Sequence, residues 1–104
     1  MNTAPDILRV LIQAPTLGGI THARNNLVNL KKDAPHAEML VVTNADGVAA
    51  VLDAPMPATD ALTLVCANTL QRLGRRAQEP LRTVRSRIAA IVEMQREDWL
   101  YVRA

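Results

Sequence analysis

The sequence predicts an α/β fold: a mostly parallel sheet of about five strands between two layers of helices. Short apolar runs alternate with helix-compatible segments along the chain. The first three runs are almost continuously apolar, as expected of parallel strands buried on both faces. Right-handed β-α-β crossovers would then cover both faces of the sheet with helices. The 104 residues correspond in size to one domain, 1–104.

The first strand is predicted at the apolar run from Ile7 to Ile12, and the segment from Gln13 to Gly19 reads as a loop because it contains proline and paired glycines. A helix should follow near Thr21, because apolar residues then recur at spacings of three and four. Cations near its end and Pro35 beyond them indicate where it stops. The apolar positions of this helix are Ile20, Ala23, Leu27 and Leu30.

The second strand is predicted at Met39 to Val42, followed by a polar turn from Thr43 to Gly47. Asp46 is suited to cap a short helix over Gly47 to Leu52. The segment from Asp53 to Asp60 carries two prolines, so we expect an irregular connection there.

The third apolar run ends at Cys66, and a helix over Asn68 to Leu73 can be closed by Gly74. A weaker fourth strand is predicted around Leu81 to Arg85. Ser86 is suited to cap a last helix. In that helix Ile88, Ile91 and Val92 should share one face, and a final edge strand is predicted at Leu100 to Val102.

Six of the twelve basic residues lie between positions 72 and 87, accompanied there only by Glu79. Such a stretch is either a solvated surface or a binding surface for phosphates or acidic partners. Single-strand nucleic acid binding usually needs aromatic stacking platforms, and this chain has only Trp99 and Tyr101. We therefore expect no nucleic acid partner. The two aromatic residues are expected to cover apolar surface at a subunit contact or core edge.

The chain has one cysteine and two histidines, His22 and His36, so we expect no metal site within one chain, and no motif calls for a cofactor. A single cysteine cannot form an internal disulfide, which fits a reducing compartment. The first residues lack the apolar core of a signal peptide, and no window is apolar for long enough to span a membrane. We expect a soluble cytoplasmic protein without a membrane partner.

Ligands of parallel sheets gather outside the carboxyl ends of the strands. That edge should collect the loop after Gln13, the turn from Thr43 to Gly47, and Cys66, and Gly47 is a candidate ligand-binding residue there. A cysteine facing the amino end of the next helix is favoured as thiolate, which makes Cys66 the candidate nucleophile. The alternative is a small buried apolar residue.

Four further side chains are candidates around this thiol. Asn44 and Asn68 are suited to donate hydrogen bonds to an anion or to satisfy the backbone of their turns. Thr69 is either a cap residue or a ligand. His22 could exchange a proton with Cys66, or be an exposed helix residue.

The chain resembles the DsrE/DsrF-like family of small α/β sulfur-relay proteins. The resemblance lies in the Asn-Asn-Leu-Val-Asn-Leu segment at 25–30, the Thr-Asn-Ala-Asp-Gly-Val turn at 43–48, the Val-Cys-Ala-Asn-Thr-Leu-Gln-Arg-Leu-Gly segment at 65–74 and the closing Trp-Leu-Tyr-Val-Arg at 99–103. It implies that Cys66 accepts sulfur and that the chain forms a homo-oligomer, a trimer or hexamer. The connection from Leu52 to Thr63 is shorter and richer in proline than in many members.

Two functions follow as hypotheses. In the first, Cys66 takes up sulfane sulfur as a persulfide and hands it to the thiol of a sulfur-acceptor protein, because the chain has no second cysteine. In the second, the chain is a non-catalytic oligomeric module that binds a small ligand at the strand ends or docks a protein on its basic surface.

Overall fold

The computed structural model describes residues 7–104 and shows a three-layer α/β/α arrangement around one five-stranded, all-parallel sheet. This confirms the predicted fold class. The strands are β1 (Arg9–Ala14), β2 (Glu38–Thr43), β3 (Thr63–Cys66), β4 (Arg82–Val84) and β5 (Leu100–Arg103). The helices are α1 (Leu17–Asp33), α2 (Asp46–Asp53), α3 (Pro57–Asp60), α4 (Ala67–Leu73) and α5 (Arg87–Arg96). None of these helices is both long and apolar enough to cross a membrane.

The strand order is β4-β3-β2-β1-β5. The chain moves outward from β1 to β4 and then returns through α5 to place β5 on the free side of β1. Strand order therefore reverses beside β1, and loops at the carboxyl ends of the strands open around this point.

The two faces of the sheet are covered unequally. On the first face, alternate residues of the strands, such as Val10 and Ile12, pack against α1, α2 and α4 in the larger apolar cluster. On the second face, Leu11 and Val42 pack against Ile91 and Met94 of α5 in a smaller cluster. The second face thus depends on a single helix.

The prediction of a loop through Gly19 was wrong, because α1 already begins at Leu17. The Thr16 hydroxyl accepts a hydrogen bond from the Gly19 N–H at 2.8 Å and caps the helix. Gly19 is buried close to the backbone of Ala14 and Ala104, where a side chain would be crowded. Gly19 therefore permits close packing of the helix, and the turn before it is formed by Pro15 and Thr16.

The region after β2 also differs from the prediction. Asp46 is the first residue of α2 and does not cap it, since Ala45 precedes the helix without a side-chain cap. The connection predicted as irregular contains the single-turn helix α3, which starts at Pro57, a position where proline's missing N–H costs nothing. Asp60 secures this turn, because its Oδ2 accepts from the Met56 N–H at 2.9 Å.

The last helix begins as predicted, with the Ser86 hydroxyl accepting from the Ala89 N–H at 3.2 Å. Its buried stripe is narrower than the one predicted. Ile91 is buried, but Ile88 and Val92 are 55% and 49% exposed. The reason is that α5 packs on the sheet through Ile91 and Met94, which are three residues apart. Ile88 and Val92 lie outside this contact.

Candidate functional site at the carboxyl ends of β3 and β4

Cys66 is the last residue of β3, and α4 starts at the next residue. Side chains alternate along a strand, and Val65 belongs to the first-face core, so the Cys66 thiol lies on the second face. Cys66 is paired with Val84 of β4. Because the chain leaves β4 at that level and enters α5, the amino ends of α4 and α5 both lie beside the Cys66 sulfur.

Three backbone N–H groups and one hydroxyl lie close enough to the Cys66 sulfur to lower the pKa of its thiol. The backbone donors are Asn68 and Thr69 in the first turn of α4 and Arg87 at the start of α5, and the hydroxyl is that of Thr69. Cys66 is only 5% exposed, but it belongs to neither apolar cluster. The sulfur is buried beside polar hydrogens, the surroundings that a thiolate requires.

The groups around the thiol lower its pKa. Burial, the largest single influence, raises the pKa of Cys66, but the N–H donors of Thr69, Arg87 and Asn68 and the Thr69 hydroxyl together lower the pKa below its ordinary value. Neither α4 nor α5 has an acidic residue in its first turn. No carboxylate of these turns therefore competes with the thiol for the positive helix ends.

Thr69 connects the thiol to the loop that follows β2. It is 5% exposed, its Oγ1 accepts a hydrogen bond from the Ala45 N–H at 3.2 Å, and its hydroxyl lowers the pKa of Cys66. Ala45 has φ 50° and ψ −136°, a conformation that costs a residue other than glycine about 1–3 kcal/mol. The strained loop and the thiol are thus held by the same hydroxyl.

A second polar group lies on the same face at the carboxyl ends of β1, β2 and β5. The Gln13 amide donates from Nε2 to Oδ1 of Asn44 at 3.2 Å, and the Tyr101 hydroxyl donates to Gln13 Oε1. Asn44 was predicted to face the anion, and the structure shows it engaged with Gln13. Sequence reasoning missed the side chains of Gln13 and Tyr101. The available signal was a glutamine near the end of an otherwise apolar strand.

Three other predicted site residues have different positions. Asn68 contributes its backbone N–H, while its side chain is exposed. Gly47 is buried where a Cβ would overlap the Ala14 carbonyl and Thr43 Oγ1, so it serves close packing between β1 and α2. Its N–H already donates to the carbonyls of Pro15 and Asn44, at 3.1 Å each. The Gly47 N–H is therefore not available to bind a ligand.

His22 is exposed on α1, the helix that packs on the first face of the sheet. No hydrogen bond of the described residues joins it to Cys66. Cys66, Asn68 and Thr69 thus lie together, and the turn that contains Asn44 contacts them through the hydrogen bond from Ala45 to Thr69. His22 lies in the helical layer on the other face of the sheet.

Three cavities lie away from the thiol. A cavity of about 550 Å³ lies at the amino end of β2, lined by Leu27, Met39 and Trp99 among others. Two more, of about 300 and 260 Å³, lie beside the loop before β4 and against α1. Cys66 lines none of these three. Within residues 7–104, no group of three or more His, Cys, Asp or Glu side chains is arranged to hold a metal ion.

Comparison with solved structures identifies a similar chain of the same size. The structure of MTH1491, a protein of unknown function from Methanobacterium thermoautotrophicum, matches with a TM-score of 0.78 and 26% sequence identity. The match covers 95% of this chain and 100% of that chain. No family model and no curated protein matches the sequence. The similarity supports the three-layer α/β fold and gives no activity.

Proposed function

We propose that the protein is a sulfur-relay protein in which Cys66 accepts sulfane sulfur as a persulfide and passes it to a thiol of another protein. The observation that carries the proposal is the position of Cys66 at the end of β3, paired with Val84 of β4 and next to the starts of α4 and α5, whose N–H groups lower the pKa of its thiol. A thiolate is the reactive form of cysteine in exchange reactions at sulfur. The resemblance to the DsrE/DsrF-like family supports the same chemical class.

The proposed reaction is balanced without an external oxidant. The Cys66 thiolate attacks the outer sulfur of a persulfide donor, R–S–SH. A bond forms between Cys66 Sγ and that sulfur, and the donor's S–S bond breaks with its electron pair leaving on R–S⁻. In the second half, a partner thiolate attacks the outer sulfur of the Cys66 persulfide. Cys66 then leaves as thiolate and is ready for another cycle.

The donors around Cys66 suit both halves of this reaction. They stabilise the thiolate before the first attack and again as it leaves in the second. Cys66 is the only cysteine of the chain, so the acceptor thiol has to come from a partner. The partner is a sulfur-acceptor protein, and we propose that the chain acts as a homo-oligomer, with the exposed β5 residues as candidate contact surface.

The test is persulfide formation on the native protein. After brief exposure to polysulfide, intact-mass measurement should show the gain of one sulfur atom, and Cys66→Ser should show none. Native Cys66 should also react with iodoacetamide faster than a free cysteine peptide at pH 7, because more of it is thiolate. Alkylation only after denaturation would contradict the proposal and favour the non-catalytic module.

A further inference from the structure

A row of arginines borders the candidate site. Arg82 begins β4, Arg85 follows its last residue, and Arg87 begins α5. β4 pairs with β3 on one side and forms the edge of the sheet on the other. Because Cys66 is paired with Val84, Arg85 is one residue beyond the position beside the thiol, and neighbouring strands are about 5 Å apart. We call Arg82, Arg85 and Arg87 the basic edge.

The basic edge lacks internal charge partners among residues 7–104. Of the six arginines between positions 72 and 87, only Arg75 forms an ion pair there, from Nη1 to Asp53 Oδ1 at 2.8 Å. Arg82 and Arg85 are exposed. Arg87 lies in the first turn of α5, where a positive charge opposes the helix dipole. These charges therefore do not serve the fold by pairing within the described chain.

The position of the basic edge along an edge strand favours an extended partner. Arg82 begins β4 and Arg85 follows its last residue, so both lie along one edge of the sheet. Edge strands also present unpaired backbone groups, to which an extended segment can add. Carboxylates repeated along such a segment would meet successive arginines.

We propose that the basic edge is a docking surface for an acidic, extended segment of the protein that exchanges sulfur with Cys66. The role of exchange rests on the proposed function, but docking itself does not require a reactive thiol. Electrostatic attraction would raise the rate of encounter and bring the partner thiol to the carboxyl end of β3.

The test uses the full chain as Cys66→Ser, which separates docking from chemistry. The probe is a fluorescent eight-residue peptide with five alternating Glu and Asp residues and a terminal cysteine, and its counterpart carries Gln and Asn. Fluorescence anisotropy should show at least tenfold tighter binding of the acidic peptide. Adding Arg82→Gln and Arg85→Gln should weaken its binding about tenfold, and higher salt should weaken it as well. Amide shifts in a ¹⁵N spectrum should cluster at positions 82–87.

The matched control is the pair Arg9→Gln and Arg96→Gln, which removes the same charge from exposed arginines that already pair with Glu38 and Glu93. Binding within twofold of the parent is expected. Equal weakening by both pairs would reduce the effect to net charge and overturn the proposal. A second outcome would also overturn the proposal. In a variant with Arg82→Gln and Arg85→Gln and with Cys66 retained, Cys66 would react more slowly with the anion iodoacetate but not with neutral iodoacetamide, while peptide binding stayed unchanged. The two arginines would then attract small anions and would not dock a partner.

The two proposals fail separately. Peptide binding that maps to the basic edge, in a protein whose Cys66 gains no sulfur, would retain the docking surface and reject the relay. Persulfide formation on Cys66 without any preference for the acidic peptide would retain the relay and reject the docking surface.

Discussion

Replacing Arg87 by proline tests whether α5 contributes to the reactivity of Cys66. The Arg87 N–H lowers the pKa of Cys66, and proline has no N–H. Proline is compatible with the first position of a helix, and Ser86 before it is extended, with φ −151° and ψ 151°. The substitution therefore removes the N–H of residue 87, while α5 can still begin at the same position.

The expected size of the effect follows from one hydrogen bond to a charged acceptor, about 1.5 kcal/mol. At a fixed pH below the pKa of the thiol, this corresponds to roughly a tenfold smaller thiolate fraction. The pseudo-first-order rate of iodoacetamide alkylation, followed by mass spectrometry from pH 5 to 10, should fall by about that factor at low pH. The midpoint of the rate profile should move upward.

Arg87→Ala is the matched control, because it removes the same side-chain charge and keeps the N–H. It should shift the midpoint less than Arg87→Pro does. Circular dichroism and urea denaturation establish that both variants are folded. If Arg87→Pro and Arg87→Ala have the same profile, the α5 donor does not stabilise the thiolate and the two-helix argument is refuted.

Three further outcomes are expected. Thr69→Val should slow alkylation of native Cys66 and destabilise the fold by about 1–2 kcal/mol, whereas Thr63→Val, which loses a buried hydroxyl bonded to backbone at 2.8 Å, should affect stability alone. The pKa of Cys66 is lower in the folded protein than in the unfolded chain, where it is roughly 8.5. Ionisation of Cys66 therefore stabilises the folded state above the unfolded pKa, and this stabilisation is lost as the pH falls through the folded pKa. In urea titrations, the unfolding free energy of the wild type relative to Cys66→Ser should rise as the pH increases across this window. Gly47→Ala should cost about 3 kcal/mol in thermal unfolding, while Gly18→Ala, where a Cβ meets nothing within 4 Å, should stabilise α1 slightly.

The strands were predictable because apolar runs bounded by turn residues are a local signal. The end of β3 at Cys66, the closing Gly74 with φ 65° and the Ser86 cap depend on neighbours in sequence, and all three are confirmed. The start of α1 was missed because two glycines read as a loop, whereas Gly19 packs closely against Ala14 of β1 and Ala104, which follows β5. Tertiary packing decided the structure there.

The donors around Cys66 could be predicted only in part. Those of α4 follow in sequence, but the Arg87 N–H is 21 positions away and reaches the sulfur because β4 pairs with β3. Local patterns do not specify strand order. The same limit applies to Gln13 and Tyr101, which meet because β5 returns to the side of β1.

Folding alone does not account for the polarity at the carboxyl ends of these strands. Cys66 and Gln13 are 5% and 8% exposed, and apolar residues at such positions would extend the small second-face core. The chain instead has polar residues there. Gln13 forms a hydrogen bond with Asn44, and Thr69 accepts one from Ala45, whose backbone is strained. Buried polar groups and strain concentrate at functional sites. Their coincidence on the face that carries the thiol supports this edge of the sheet as the location of the proposed reaction.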